Sequence, residues 1–156
     1  MANLIDPNEA MFTAFEPKQQ NRYIFYIEGI PAFLIHKAAR PKITQETVTL
    51  EHINVTRYVK GKSKWDVVAL TLYDPVVPSG AQAVMEWVRL HHESVTGRDG
   101  YADFYKKDCT INILEEWTGK GAFITEADFG TLDWTATNAY NEIAMSIQCD
   151  YWILQF

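Results

Sequence analysis

Four histidines, two cysteines and a few close carboxylate pairs are the side chains of this sequence with reactive chemistry to offer. His91 and His92 are adjacent in a helical stretch, so their rings point about 100° apart and do not share a metal as an i, i+4 pair would. Glu86 lies five residues before His91, outside ligand spacing. His36 sits within strand-like text and reads as a polar or packed position. The pairs Glu115-Glu116 and Glu126/Asp128 do not read as an acid–base couple. Neighbouring strand residues face opposite ways, and nothing around these carboxylates implies the burial that would drive their pKa values apart. The sequence has no GxSxG elbow and neither of the glycine-rich phosphate loops, GxGxxG or GxxxxGK[ST]. No catalytic residues, metal or cofactor are expected, and the chain does not read as an enzyme.

Cys109 and Cys149 fall on the apolar faces of two strand-like segments and form no CxxC. Two readings stand for them: a pair of inert buried thiols, or a disulfide within or between subunits that forms once the protein leaves a reducing cytosol. Spacing alone does not supply the Cα separation that would decide between them.

The elements that must position these residues are mostly strands. Arg22 to Glu28 is rich in β-branched and aromatic residues and is closed by Gly29-Ile30-Pro31. Ala32 to Ala38 follows at hairpin distance. Thr47 to Glu51 alternates polar and apolar residues, and Trp65 to Tyr73 is a strong strand. Residues 54–64 read as an exposed basic loop, with Arg57, Lys60, Lys62 and Lys64 around Gly61. It is either a solvated hairpin tip or a contact for an acidic partner. Ser79-Gly80-Ala81-Gln82 has capping-box spacing, which predicts a helix over 79–93. Cys109 to Ile113 alternates, and Phe123 to Ala127 does so more weakly. The last strand puts Ile143, Met145, Ile147, Cys149 and Tyr151 on one face and Glu142, Ala144, Ser146, Gln148 and Asp150 on the other. Residues 1–20 read as an N-terminal arm.

These elements predict one mainly β domain of 156 residues, a two-sheet antiparallel sandwich or barrel with one flanking α-helix. Hydrophobic residues are 47% of the chain, enough for a substantial core and too many for disorder. Fourteen Lys and Arg against twenty Asp and Glu leave a net charge of −6, which disfavours gripping a nucleic-acid backbone or an anionic membrane. The opening residues have no basic or apolar targeting pattern, and no apolar run approaches the roughly 18 residues of a membrane span.

Several short motifs, in order, resemble the tail tube proteins of contractile-tailed bacteriophages of the T-even type. They are Asn21-Arg22-Tyr23, Lys37-Ala38-Ala39-Arg40-Pro41, Trp65-Asp66-Val67 through Tyr73-Asp74, Met85-Glu86-Trp87, Tyr105-Lys106-Lys107, Leu132-Asp133-Trp134, Asn141-Glu142-Ile143 and Asp150-Tyr151-Trp152. The resemblance spans residues 21–152. Extra residues at 135–140 and the apolar end Ile153-Leu154-Gln155-Phe156 depart from it.

The resemblance implies hexameric rings whose strands join into a shared inner β-barrel, stacked as the tube inside a contractile sheath. It implies copies of the chain itself, the sheath, and baseplate and terminator proteins as partners. It also implies assembly in the bacterial host cytoplasm, a place in the virion tail, and transient passage of double-stranded DNA. Glu142, Ser146, Gln148 and Asp150 are then the candidate lumen or polar face: in the lumen their repeated carboxylates would repel phosphate, and the alternative is that this face lies on the tube exterior. Arg57, Lys60, Lys62 and Lys64 become the candidate ring-to-ring or sheath contact. The inner tube of a bacterial contractile injection system is the alternative within the same architecture. A monomeric β-barrel holding a small apolar ligand is the rival of a different class.

Overall fold

The computed structural model describes residues 16–155, so the first fifteen residues of the expected N-terminal arm and Phe156 lie outside the described residues. Among the described residues nine strands run in chain order as β1 (Ile24–Ile27), β2 (Ile35–Ala38), β3 (Ile43–His52), β4 (Val55–Trp65), β5 (Val68–Tyr73), β6 (Lys107–Asn112), β7 (Glu116–Asp128), β8 (Glu142–Gln148) and β9 (Tyr151–Gln155). Between β5 and β6 lie α1 (Gly80–His91) and the single turn α2 (Ala102–Tyr105). Mainly antiparallel β-structure with a flanking helix is the fold the hydrophobic periods predict.

Strand β7 organises the two sheets because it belongs to both. Its first half, Glu116 to Lys120, pairs with β6 on one flank and β9 on the other, and β6 pairs onward with β1. Its second half, Phe123 to Asp128, pairs with β8, followed by β5 and β2. The bend falls at Gly121, whose φ of +65° is a left-handed conformation that side chains other than glycine rarely adopt. Across it, the Asp150 N–H donates to the Lys120 carbonyl at 2.9 Å, so β8 and β9 turn the same corner as β7.

The core lies between the sheets. Alternation places Val68, Leu70 and Leu72 of β5 and Ile143, Met145 and Ile147 of β8 inward, all at most 2% exposed. Phe25 and Ile111 close it from the other sheet, and α1 adds Val84 and Trp87. The Trp87 indole N–H donates to the Tyr105 carbonyl at 2.8 Å, tying α2 to α1. At the start of α1 the Ser79 Oγ accepts from the Gln82 N–H at 3.3 Å, and the Asp74 carboxylate accepts from the Ala81 N–H. Only half of the expected capping box forms, because the Gln82 side chain donates forward to Glu86.

Four local expectations need correction. The segment after Gly29 is no hairpin partner of β1: a 3-10 turn at Ala32–Leu34 carries the chain into the other sheet, where β2 pairs with β5. The stretch Trp65 to Tyr73 is two strands, broken at Asp66-Val67. Residues 55–64 are strand β4, not loop; the turn is confined to Ile53-Asn54. The final strand breaks at Cys149-Asp150, so Trp152 is buried and Tyr151 is exposed, the reverse of unbroken alternation.

Candidate assembly surfaces

The sheet β7-β8-β5-β2 has one face on the core and one in solvent. Register brings Lys37, Thr71, Ala144 and Asp128 into one row across the solvent face, and Ala69, Ser146 and Glu126 into the next. Tyr73 lies opposite Glu142. The middle of this face is made of small side chains; its β7 margin carries Glu126 and Asp128, and its β2 margin carries Lys37. Glu142 and Ser146 lie on it. His36 stacks on Tyr73 at 4.0 Å, and its Nε2 lies 3.5 Å from the Glu142 carboxylate.

Gln148 is tied into the fold, since its amide donates to the carbonyls of Trp65 and Cys149 at 2.9 and 3.0 Å. Asp150 stands at the β8–β9 corner, where the Lys106 ammonium donates to both carboxylate oxygens at 2.9 and 2.7 Å. The Asp150 bond raises the Lys106 pKa. Asp150 is thus a neutralised structural pair away from the face of small residues. Glu126 and Asp128 were set aside as failed acid–base groups, yet both lie on this face. Their i, i+2 spacing in a strand was the available signal, because such residues share a face.

Among the described residues both edges of this sheet are open: β2 pairs only with β5, and the second half of β7 has a strand partner only on its β8 side. Thr125, Glu126 and Asp128 are exposed there.

The second surface is the β3–β4 hairpin, a separate two-stranded sheet with arms of ten and eleven residues. At about 3.4 Å per residue it extends roughly 35 Å. Pairing puts Val48 opposite Val59, Leu50 opposite Arg57 and His52 opposite Val55, which makes one face largely apolar. The other face carries Thr47 with Lys60, Thr49 with Tyr58 and Glu51 with Thr56. Val48, Leu50, Val55 and Val59 are all exposed, and Ile53 stands fully exposed at the turn. The basic residues do not form one patch. A bulge between the Gln45–Ser63 and Thr47–Lys60 pairs falls at Gly61-Lys62 and reverses the alternation of β4. Arg57 and Lys64 therefore share the apolar face and Lys60 lies on the other.

The hairpin is fastened at its base. The Thr44 hydroxyl donates to Asp66 at 2.7 Å, Lys42 lies 3.3 Å from the same carboxylate, and the Asp66 N–H donates to the Lys42 carbonyl at 2.8 Å. The Thr44 bond, aided by Lys42 and Lys64, holds the Asp66 carboxyl below the usual carboxylate range.

Cys109 and Cys149 come together inside the molecule, with Sγ atoms 3.7 Å apart and both residues nearly inaccessible. Among the described residues, no three His, Cys, Asp or Glu side chains cluster as a metal site, and no helix is long and apolar enough to cross a membrane.

No protein-family model and no curated protein sequence matches the chain. Solved structures do. A chain of the sheath–tube complex of an extracellular contractile injection system (PVC), in the extended state, superposes with a TM-score of 0.69 at 19% identity, covering 89% of this chain and 91% of that one. A chain of the tube-terminating cap of the anti-feeding prophage (AFP) gives 0.67 at 20% identity over 99% of both chains. Hcp1 from Flavobacterium johnsoniae gives 0.52 at 11% identity, over 85% and 93%. Across nearly its whole length, this chain has the same fold as those structures.

Proposed function

We propose that this protein is the subunit of a ring-stacked inner tube of a contractile machine. The observation that carries the proposal is the four-stranded sheet β7-β8-β5-β2 with both edges open. Its strands alternate in direction, so β2 and the second half of β7 run opposite ways. Rotation about a ring axis preserves that relation, and β2 of one copy meets β7 of the next as an antiparallel pair. Each pairing removes two exposed edges, which are otherwise a liability for aggregation.

The likeness to chains from sheath–tube and terminator assemblies supports this reading and its partners: further copies of the chain, a sheath, a baseplate and a terminator. The T-even resemblance of the sequence points to a phage tail passing DNA. The structural likenesses support an injection-system tube equally well. Cargo separates the two settings, and both need a channel that does not hold what passes through it. The solvent face of the closing sheet suits that role, because small side chains line its middle and Glu126, Asp128 and Glu142 outweigh the cation Lys37, so that the face would repel phosphate. A ligand-binding barrel is disfavoured, since side chains fill the space between the sheets.

The β3–β4 hairpin is the ring-to-ring contact in this account. An isolated hairpin is barely stable in water. An exposed apolar face on one implies a partner surface, here the adjacent ring, with Arg57, Lys60, Lys62 and Lys64 adding electrostatic contact to that ring or the sheath.

Cysteine pairs across the open edges test ring closure. Lys37→Cys combined with Glu126→Cys or Asp128→Cys should give a ladder of disulfide-linked oligomers ending at the hexamer on a non-reducing gel. Monomer alone for both pairs, in protein that forms rings, would refute closure through these edges.

A further inference from the structure

We propose that Cys109 and Cys149 are a built-in oxidation site, closing to an intrachain disulfide when the protein passes from a reducing to an oxidising compartment. The proposal stands on internal geometry and is independent of tube formation. The two sulfurs are in contact at 3.7 Å, and the residues are 1% and 2% exposed, so they meet each other and no second chain. The surrounding sequence makes room for the encounter. Gly119 of β7 lies between Cys109 of β6 and Trp152 of β9 in register. A Cβ there would sit 2.7 Å from the Cys109 Sγ and 3.0 Å from the Trp152 ring. Only glycine leaves the space in which sulfur and indole stand side by side.

The same packing governs access. Trp152 packs beside Gly119 and the Cys109 sulfur from β9, a five-residue strand paired with β7 alone among the described residues, so opening of this edge would loosen the packing around the Cys109 thiol. In the closed state the Cys149 contact and burial push the Cys109 pKa upward, which keeps the thiol protonated and unreactive.

The oxidant is a small peroxide. In the opened state the thiolate of one cysteine attacks a peroxide oxygen, the O–O bond breaks, and hydroxide leaves to take up the thiol proton as water. The second thiol then attacks the sulfenic sulfur and displaces its hydroxyl as a second water. Two thiols lose two electrons and two protons in all, and one hydrogen peroxide becomes two waters. The new bond would join β6 to the corner where β8 turns into β9, closing a loop across a sequence separation of 40 residues.

Protein purified under reducing conditions should bind two maleimides after denaturation, and peroxide-treated protein none. A non-reducing peptide map should then show the Cys109 and Cys149 peptides joined. The treated protein should run as a monomer, like the untreated protein, and unfold at a temperature several degrees higher, with dithiothreitol reversing the rise. Cys149→Ala protein should gain no thermal stability from peroxide. Two free thiols after treatment, sulfinic acids in place of the bond, or disulfide-linked dimers would each overturn the assignment.

Discussion

Gly119 and Asp66 carry the most specific consequences of single residues. Gly119 is the point at which β6, β7 and β9 come close enough to exclude a side chain. Gly119→Ala must push aside the Cys109 sulfur and the Trp152 ring, an overpacking that should cost about 1–3 kcal/mol in urea unfolding. Asp66 controls the root of the hairpin. Its carboxylate is stabilised in the fold, so its contribution is complete above the ordinary carboxylate range and disappears as pH falls through the lowered native pKa. Protection factors of the β3 and β4 amides, corrected for the intrinsic pH dependence of exchange, should therefore fall below about pH 4, with Asp66→Asn abolishing most of that dependence. Among single residues, the burial of Cys109 and Cys149 and the exposure of Glu142 were legible from alternation. The role of Asp150 was not, because its partner Lys106 lies 44 positions away. No local spacing encodes that pair.

At the scale of elements, the apolar periods identified β1, β6 and α1 closely, started β5 too early at Trp65 and ran β8 on into β9. The β3–β4 hairpin shows why legibility stopped where it did. Strand signals come from one buried face, and this hairpin packs neither face on the core. Its Lys-rich, Gly-containing arm consequently reads as loop. Exposure on both faces also makes it the best place to separate assembly from folding. Leu50→Ser with Val59→Ser should leave the melting temperature of the monomer within a few degrees of the parent. The same double change should abolish ring stacking in electron micrographs. Lys60→Glu with Lys62→Glu should weaken polymerisation or sheath decoration, and unchanged tube length and stability would count against the charged contact. The break between β8 and β9 was hidden for a different reason. It depends on a bend in β7 at Gly121, and no pattern within residues 142–155 announces a turn forced by a neighbouring strand.

For the whole molecule, the proposed ring would give one explanation to the acidic balance and to the sheet edges left open among the described residues. A net charge of −6 is unsuited to holding nucleic acid and suited to a channel wall. The fold class was legible from strand number and the single helix. The identity of the closing edges was not, since it rests on β7 serving two sheets, a long-range pairing outside the reach of local patterns. The most direct test is a cryo-EM reconstruction of the assembled protein. It should show six-fold rings in which β2 of one copy pairs antiparallel with the second half of β7 of the next, with Glu126, Asp128 and Glu142 facing the channel. Rings closed through other strands, with this acidic face turned outward, would contradict the account.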